Sequence, residues 1–292
     1  MRVFVTGAAG FVGAKVVEEL KRAGHEVIGL ARSAANEKAL AAAGVQAHRG
    51  DVQDLESLRQ GVAKADAVIH CAFVHDFTNF VASCEIDRRA IEAMGAALVG
   101  STRPFIVTAG TGGSGTPGHV ATENDPAAPA SVFPRGATEE AVNAVAARGV
   151  RTLVVRLPQV HDPEKQGLVT LLVAIAREKK VSAYVGDGRN RWPAVHRLAA
   201  AQLYRLVLEK GSPGARYHAV AEEGVPLEDI AEAVGKRVGV PVVVKSPEEA
   251  PAHFGFLAAM IGRDLSASSA QTREQLGWRP TGPSLIEDIL AG

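Results

Sequence analysis

Cysteine is scarce: the chain has two, Cys71 and Cys84, with no metal-ligand spacing around them. They cannot build a disulfide framework, so a reducing cytoplasm is the expected compartment and no metal centre is expected. An excess of charge is also lacking, since 32 Lys and Arg balance 32 Asp and Glu. Nucleic-acid and membrane-surface proteins need a basic face, so neither partner is expected. No apolar run approaches the roughly eighteen residues a membrane-crossing helix needs. At the start, Val3, Phe4 and Val5 lead straight into a glycine turn, which is not a signal-peptide pattern. Aromatic residues make up only 5% of the chain, and tyrosine is missing until Tyr184, followed by Tyr204 and Tyr217.

What remains is an ordinary globular composition, 47% hydrophobic and 22% charged over 292 residues, with ample core for one large domain or two small ones. Apolar runs at residues 2–6, 25–30, 45–48, 67–69, 104–108 and 152–156 alternate with helical patterns, among them a long helix at 79–99 and another at 136–148. Strands that are apolar throughout, separated by amphipathic helices, predict a parallel sheet covered on both faces. The fold class is α/β, a Rossmann-type doubly wound sheet with a small C-terminal substrate lobe. The Rossmann domain is expected over 1–160 plus about 194–220, and the lobe over about 161–193 plus 221–292. The Gly-, Pro- and Thr-rich stretch 109–131 reads as a long functional loop.

Thr6-Gly7-Ala8-Ala9-Gly10-Phe11-Val12-Gly13 lies between the first strand and the first helix. Gly7 permits the tight turn, Gly10 lets backbone approach a pyrophosphate, and Gly13 lets helix pack close to sheet. Ala9, Phe11 and Val12 belong to the same cradle, whose helix N-terminus offers free N–H groups and positive potential. At the end of the second strand the chain reads Ala31-Arg32-Ser33. An acidic residue there binds the ribose 2′-OH of NAD, whereas arginine accommodates the 2′-phosphate of NADP. Arg32, with Ser33 as a second donor, therefore predicts NADP, with NADPH preferred over NADH.

The G-x-x-G-x-x-G spacing resembles the extended short-chain dehydrogenase/reductase superfamily, the branch of NAD(P)-dependent epimerases and dehydratases. Further motifs in the same order carry the resemblance: Gly50-Asp51-Val52, Ile69-His70-Cys71-Ala72, Arg156-Leu157-Pro158-Gln159-Val160, Ala194-Val195-His196 and Leu276-Gly277-Trp278-Arg279-Pro280. It implies that Asp51 and Val52 hold the adenine, and that Cys71, Ala72, Pro158 and Val160 flank the cofactor. It also implies a homodimer through the two helices near 79–99 and 136–148. Such a family carries Ser or Thr after strand five and then Tyr-x-x-x-Lys. Here Ser131 stands where the tyrosine is expected and Arg135 where the lysine is expected. The Ser/Thr position falls on Gly110, flanked by Thr108 and Thr111, and the sequence leaves the choice between them open. Arg135 retains positive charge for the ribose, but a serine hydroxyl is a far poorer proton donor than a phenol.

A replacement donor is sought among His75 and Asp76 after strand four and His161 after strand six, since imidazole titrates near neutrality. Arg191 and Trp192 precede the return segment and are candidates to clamp a planar or anionic substrate, with His75 as a third substrate contact. His253, Phe254, Phe256 and Met260 either line the cleft or pack, and packing is the expectation. The leading functional reading is an NADPH-dependent reductase of a small organic carbonyl or conjugated compound. The alternatives are a non-catalytic NADP-binding sensor and, ranked third, a sugar-nucleotide epimerase or dehydratase.

Overall fold

The structure is a computed structural model and describes residues 1–112 and 118–292. The middle of the long loop expected at 109–131, residues 113–117, lies outside the described residues.

The strands are β1 Arg2–Thr6, β2 Glu26–Ala31, β3 Gln46–Arg49, β4 Ala67–His70, β5 Phe105–Gly110, β6 Thr152–Leu157, β7 Gln159–His161, β8 Ser182–Val185, β9 Arg191–His196, β10 Arg216–His218, β11 Glu222–Pro226 and β12 Val242–Lys245. The helices are α1 Phe11–Arg22, α2 Ala34–Ala42, α3 Leu55–Ala63, α4 Phe80–Ala96, α5 Ala137–Ala146, α6 Val169–Lys179, α7 Arg197–Lys210, α8 Leu227–Val238, α9 Ala250–Phe254, α10 Ala258–Ile261, α11 Ala270–Leu276 and α12 Leu285–Ala291.

Seven parallel strands form the main sheet in the order β10-β6-β5-β4-β1-β2-β3. In β1, Val3 and Val5 face the core under α1 and α7, while Phe4 faces the core under α3, α4 and α5. Burial on both faces is why such strands are uninterrupted apolar runs. The order reverses at β1 and β4, so the crevice beyond their C-terminal ends is where a doubly wound sheet takes its ligand. After β6 the chain leaves this sheet. It returns through α7, which packs on α1, and through β10 at the sheet edge.

A second core lies in the C-terminal lobe, where Val173, Trp192, Leu227, Ile230, Val234 and Ile289 are buried together. Two small sheets support it, β11-β9-β7 and β12-β8. Trp278 of the C-terminal Leu-Gly-Trp run is buried against α7, its indole N–H donating to the Ala199 carbonyl at 3.1 Å. Among the described residues, no helix is long and apolar enough to cross a membrane.

Candidate active site

The glycine cradle has the geometry that its spacing demands. Gly7 sits at φ +68°, and a Cβ there would come within 2.8 Å of the Ala72 nitrogen. At Gly13 a Cβ would lie 2.0 Å from the Gly7 carbonyl oxygen, so only glycine lets α1 start this close to β1. Gly10 precedes α1 without a side-chain cap, and no acidic residue occupies the first turn. The first N–H groups of α1 thus stay available, at the positive end of the helix. The Phe11 ring opens that turn, with the Arg197 guanidinium 4.9 Å and the Lys165 ammonium 5.6 Å from its centroid. Open donors, added cations and a backbone space closed to any Cβ fit a dinucleotide pyrophosphate.

At the ribose end, Ala31 is buried and Arg32 is exposed, its Nε 3.9 Å from Asp51 Oδ2. A pair this exposed and this long is weak, so the guanidinium can turn to another anion. Ser33 is committed locally: it accepts from the Asn36 N–H at 3.2 Å and caps α2. Asp51 accepts from the Gln53 N–H at 2.9 Å, and Val52 packs at the edge of the neighbouring core.

Cys71 and Ala72 line the far side of the glycine turn. Burial pushes the Cys71 thiol up to about 12 against the opposing influence of the Thr108 and Tyr204 hydroxyls, so it stays protonated and is no nucleophile. Thr108 and Tyr204 share a hydrogen bond of 2.6 Å between their hydroxyls. Burial likewise raises the Tyr204 phenol well above its ordinary value. Tyr204 comes from α7 and was not singled out by the sequence. Thr111 is buried, its N–H donating to the Leu157 carbonyl at 3.0 Å. Pro158 joins β6 to β7, and Val160 pairs with Val195 of β9.

Arg135 is held on every side. It donates to Asp87 Oδ2 at 2.5 Å, to the Thr108 carbonyl at 3.2 Å and to the Thr138 hydroxyl, and its guanidinium lies 4.0 Å from the Phe73 ring centroid. Asp87 in turn meets His70 Nε2 at 3.1 Å, and His70 Nδ1 meets Thr6 Oγ1 at 2.7 Å. Thr6 Oγ1 also accepts the Ala72 N–H at 3.3 Å. A buried polar chain therefore runs from the end of β1, beside the cradle, to Arg135. Burial alone would raise the Asp87 carboxyl, but Arg135, His70 and Thr138 hold it down to about 2. Asp87 falls on the apolar stripe Cys84, Asp87, Ile91, Met94 of α4, a position where an acid needs a partner. That was the available signal for this network.

Ser131, by contrast, is exposed on the loop ahead of α5. His161 is fully enclosed: its Nδ1 lies 2.6 Å from Asp288 Oδ2 of α12, and its ring meets His196 edge-on. Burial outweighs the attraction of Asp288 and keeps the His161 imidazole below its ordinary value, hence neutral. His75 sits at the surface, edge-on to Phe73 at 5.2 Å. Desolvation, then Lys165 and Arg135, lowers its pKa. Asp76 caps its own turn, where hydrogen bonds from Thr78 and Asn79 hold it down to about 2.

In the C-terminal lobe, Arg191 is paired with Asp264 at 3.1 Å and Trp192 is enclosed in the lobe core, which removes its ring from the cleft. His253, Phe254 and Met260 pack into or against that core, whereas Phe256 is exposed. Among the described residues there is no group of three or more acidic, His or Cys side chains suited to a metal ion.

Comparison with known proteins agrees with this geometry. Residues 3–220 match the NAD dependent epimerase/dehydratase family. An uncharacterized protein of Schizosaccharomyces pombe is 47% identical over 99% of this chain and 98% of its own. The 2′-dehydrokanamycin reductase of Streptomyces kanamyceticus is 30% identical over 87% of this chain and 70% of its own. Among solved structures, the UDP-glucose 4-epimerase of Thermus thermophilus in complex with NAD superposes with a TM-score of 0.75, at 21% identity, covering 100% of this chain and 97% of that one. At that identity the likeness speaks for the fold alone.

Proposed function

We propose that this chain, which belongs to the NAD dependent epimerase/dehydratase family, is an NADPH-dependent reductase of a small organic carbonyl or conjugated substrate. The observation that carries the reading is the open glycine cradle ending in an exposed Arg32 where an acid would select NAD. In this reading the N–H groups around Gly10, Phe11 and Val12 hold the pyrophosphate, with Lys165 and Arg197 adding charge. Asp51 and Val52 hold the adenine end. Arg135, fixed by Asp87, holds the nicotinamide ribose. When bound, the nicotinamide supplies the hydride.

The rest of the site favours reduction that asks little of an acid. Ser131 is a weak donor, Asp76 is held ionised, and His75 is neutral at the rim. The Thr108 hydroxyl, bonded to the Tyr204 hydroxyl at 2.6 Å, is the group placed to orient a substrate oxygen. The final proton then comes from water beside His75, which suffices where the substrate is already polarised. His161, neutral and bonded to Asp288, positions the lobe. A reductase among the 30%-identical relatives supports this reading. Sugar-nucleotide epimerisation stays third, because it leans on the absent tyrosine. A homodimer through α4 and α5, whose outer face carries an exposed Val81, belongs to the same proposal; sedimentation tests it.

The test is NADPH oxidation across carbonyls and enones. Turnover of any member with NADPH, and little with NADH, supports the proposal. A dead panel alongside tight NADPH binding overturns it. That result would favour the second reading, an NADP-binding sensor, which the exposed Ser131 motivates. Equal affinity for NADP⁺ and NADPH would in turn sink a redox sensor, since equal binding shifts no equilibrium.

A further inference from the structure

Nine phenylalanines occur in the chain, and five of them gather outside every hydrophobic core of the described residues: Phe73, Phe77, Phe80, Phe133 and Phe256. They come from four separate places in the fold. Phe73 and Phe77 follow β4, Phe80 opens α4, Phe133 precedes α5, and Phe256 belongs to a short turn of the C-terminal lobe. Their rings are in mutual contact. Phe80 lies 6.2 Å from Phe73, 6.0 Å from Phe77 and 6.0 Å from Phe133. Phe77 and Phe256 stack at 5.2 Å and 12°, one ring from each lobe.

Each of the five keeps solvent-accessible surface, and Phe256 is 54% exposed. Phe73, Phe77, Phe80 and Phe133 are partly buried and Phe256 is exposed, and a contiguous apolar patch of this kind marks a binding surface. Its place is defined by Phe73, which follows the cradle-lining Cys71 and Ala72 and carries Arg135 on its face. The groups around the patch are the neutral His75 and the cations Arg135 and Lys165, while the nearby Asp76 spends its oxygens on Thr78 and Asn79. An apolar, ring-lined wall suits a flat π-system. Among the described residues it offers little to a sugar ring, which needs many hydrogen-bonding partners.

Building on the reductase reading above, we propose that these five rings form the substrate pocket for an aryl-conjugated carbonyl compound, with Phe256 closing over the substrate from the C-terminal lobe. Phe77 and Phe256 are then specificity residues, since a bound aryl ring replaces or extends their mutual stack.

The experiment uses the full chain saturated with NADP⁺ and titrated calorimetrically with trans-cinnamyl alcohol, and separately with trans-2-hexen-1-ol. Stacking contacts predict that the aryl alcohol binds about tenfold more tightly than the aliphatic one. Phe77→Ala and Phe256→Ala should each weaken the aryl alcohol by about fivefold to tenfold and the aliphatic alcohol by clearly less, so that the aryl preference falls. Phe256→Leu, at an exposed position that leaves folding intact, should lose most of the same preference. Equal binding of the two alcohols, binding of neither, or an aryl preference untouched by these variants would overturn the proposal. Turnover separates it from the reductase reading. Ring-dependent binding of cinnamyl alcohol with no reduction of any carbonyl or enone of the panel supports the pocket and sinks the reductase. Brisk reduction of aliphatic carbonyls with no aryl preference does the reverse.

Discussion

Replacing Asp87 by asparagine tests whether Arg135 is built into the site or merely near it. The Asp87 side chain is 1% exposed and that of Arg135 is 16% exposed. An asparagine can keep the bonds: its oxygen accepts from Arg135 and Thr138, and its amide donates to His70 Nε2 once the His70 proton sits on Nδ1, facing Thr6 Oγ1. What is lost is the charge. The Asp87 carboxyl is lowered from 3.8 to about 2 in the folded chain, and at ~1.4 kcal/mol per unit this corresponds to roughly 2–3 kcal/mol. Breaking a buried pair from one side costs about 3–5 kcal/mol, less here because Arg135 keeps Thr108, Thr138 and the Phe73 face. Both routes give a loss of roughly 2–3 kcal/mol at pH 7.

The pH dependence follows from the direction of the shift. A carboxyl lowered by folding contributes its stability in full above its unfolded value of 3.8 and loses it as pH falls toward about 2. Urea unfolding of both proteins at pH 7, 5 and 4 should therefore show a gap that is constant at the first two and narrowing at the third. NADPH binding should weaken along with it, because Arg135 keeps its bond but loses the opposite charge that fixes it. A loss below about 0.5 kcal/mol, the scale of an ordinary surface pair, would refute the reasoning. So would a gap that widens on acidification.

Three further outcomes are expected. Arg32→Ala should weaken NADPH by roughly 10- to 100-fold, the worth of a charged hydrogen bond, and leave NADH within about threefold, as read by calorimetry. Gly7→Ala places a side chain at φ +68° against the Ala72 backbone; it should cost at least ~1–2 kcal/mol of stability by thermal unfolding and abolish measurable NADPH binding. His161→Gln should lower stability by about 1–3 kcal/mol while the pH profile of turnover stays put. Because folding lowers the His161 pKa from 6.5, wild-type stability should fall as pH drops below that value, and the variant should lack that component of the slope. A turnover profile that moves with the substitution would return His161 to the role of proton donor.

The sheet was legible because strands buried on both faces are written as unbroken apolar runs, as in residues 2–6 and 104–108. The cradle was legible because each glycine answers a local steric demand. The surroundings of Arg135 were not, since its anchor Asp87 is 48 positions away and reaches it only when α4 packs on α5. Tyr204 meets Thr108 across 96 positions for the same kind of reason. Arg191 and Trp192 read alike as cleft residues because they adjoin the return segment. Their separation came from strand alternation in β9, which turns Trp192 into the lobe core and leaves Arg191 at its edge with Asp264. The three-residue β10 was missed because so short a strand at a sheet edge carries no periodicity. The aromatic cluster escaped notice because four segments each contribute only one or two rings.

The most direct test of the account is calorimetric titration of the unmodified chain with NADPH and, in parallel, with NADH. Tight binding of NADPH with NADH at least about tenfold weaker is the predicted result, as an exposed arginine paired with a ribose phosphate requires. Tighter NADH binding would contradict the role given to Arg32. Binding of neither would contradict the reading of the cradle itself.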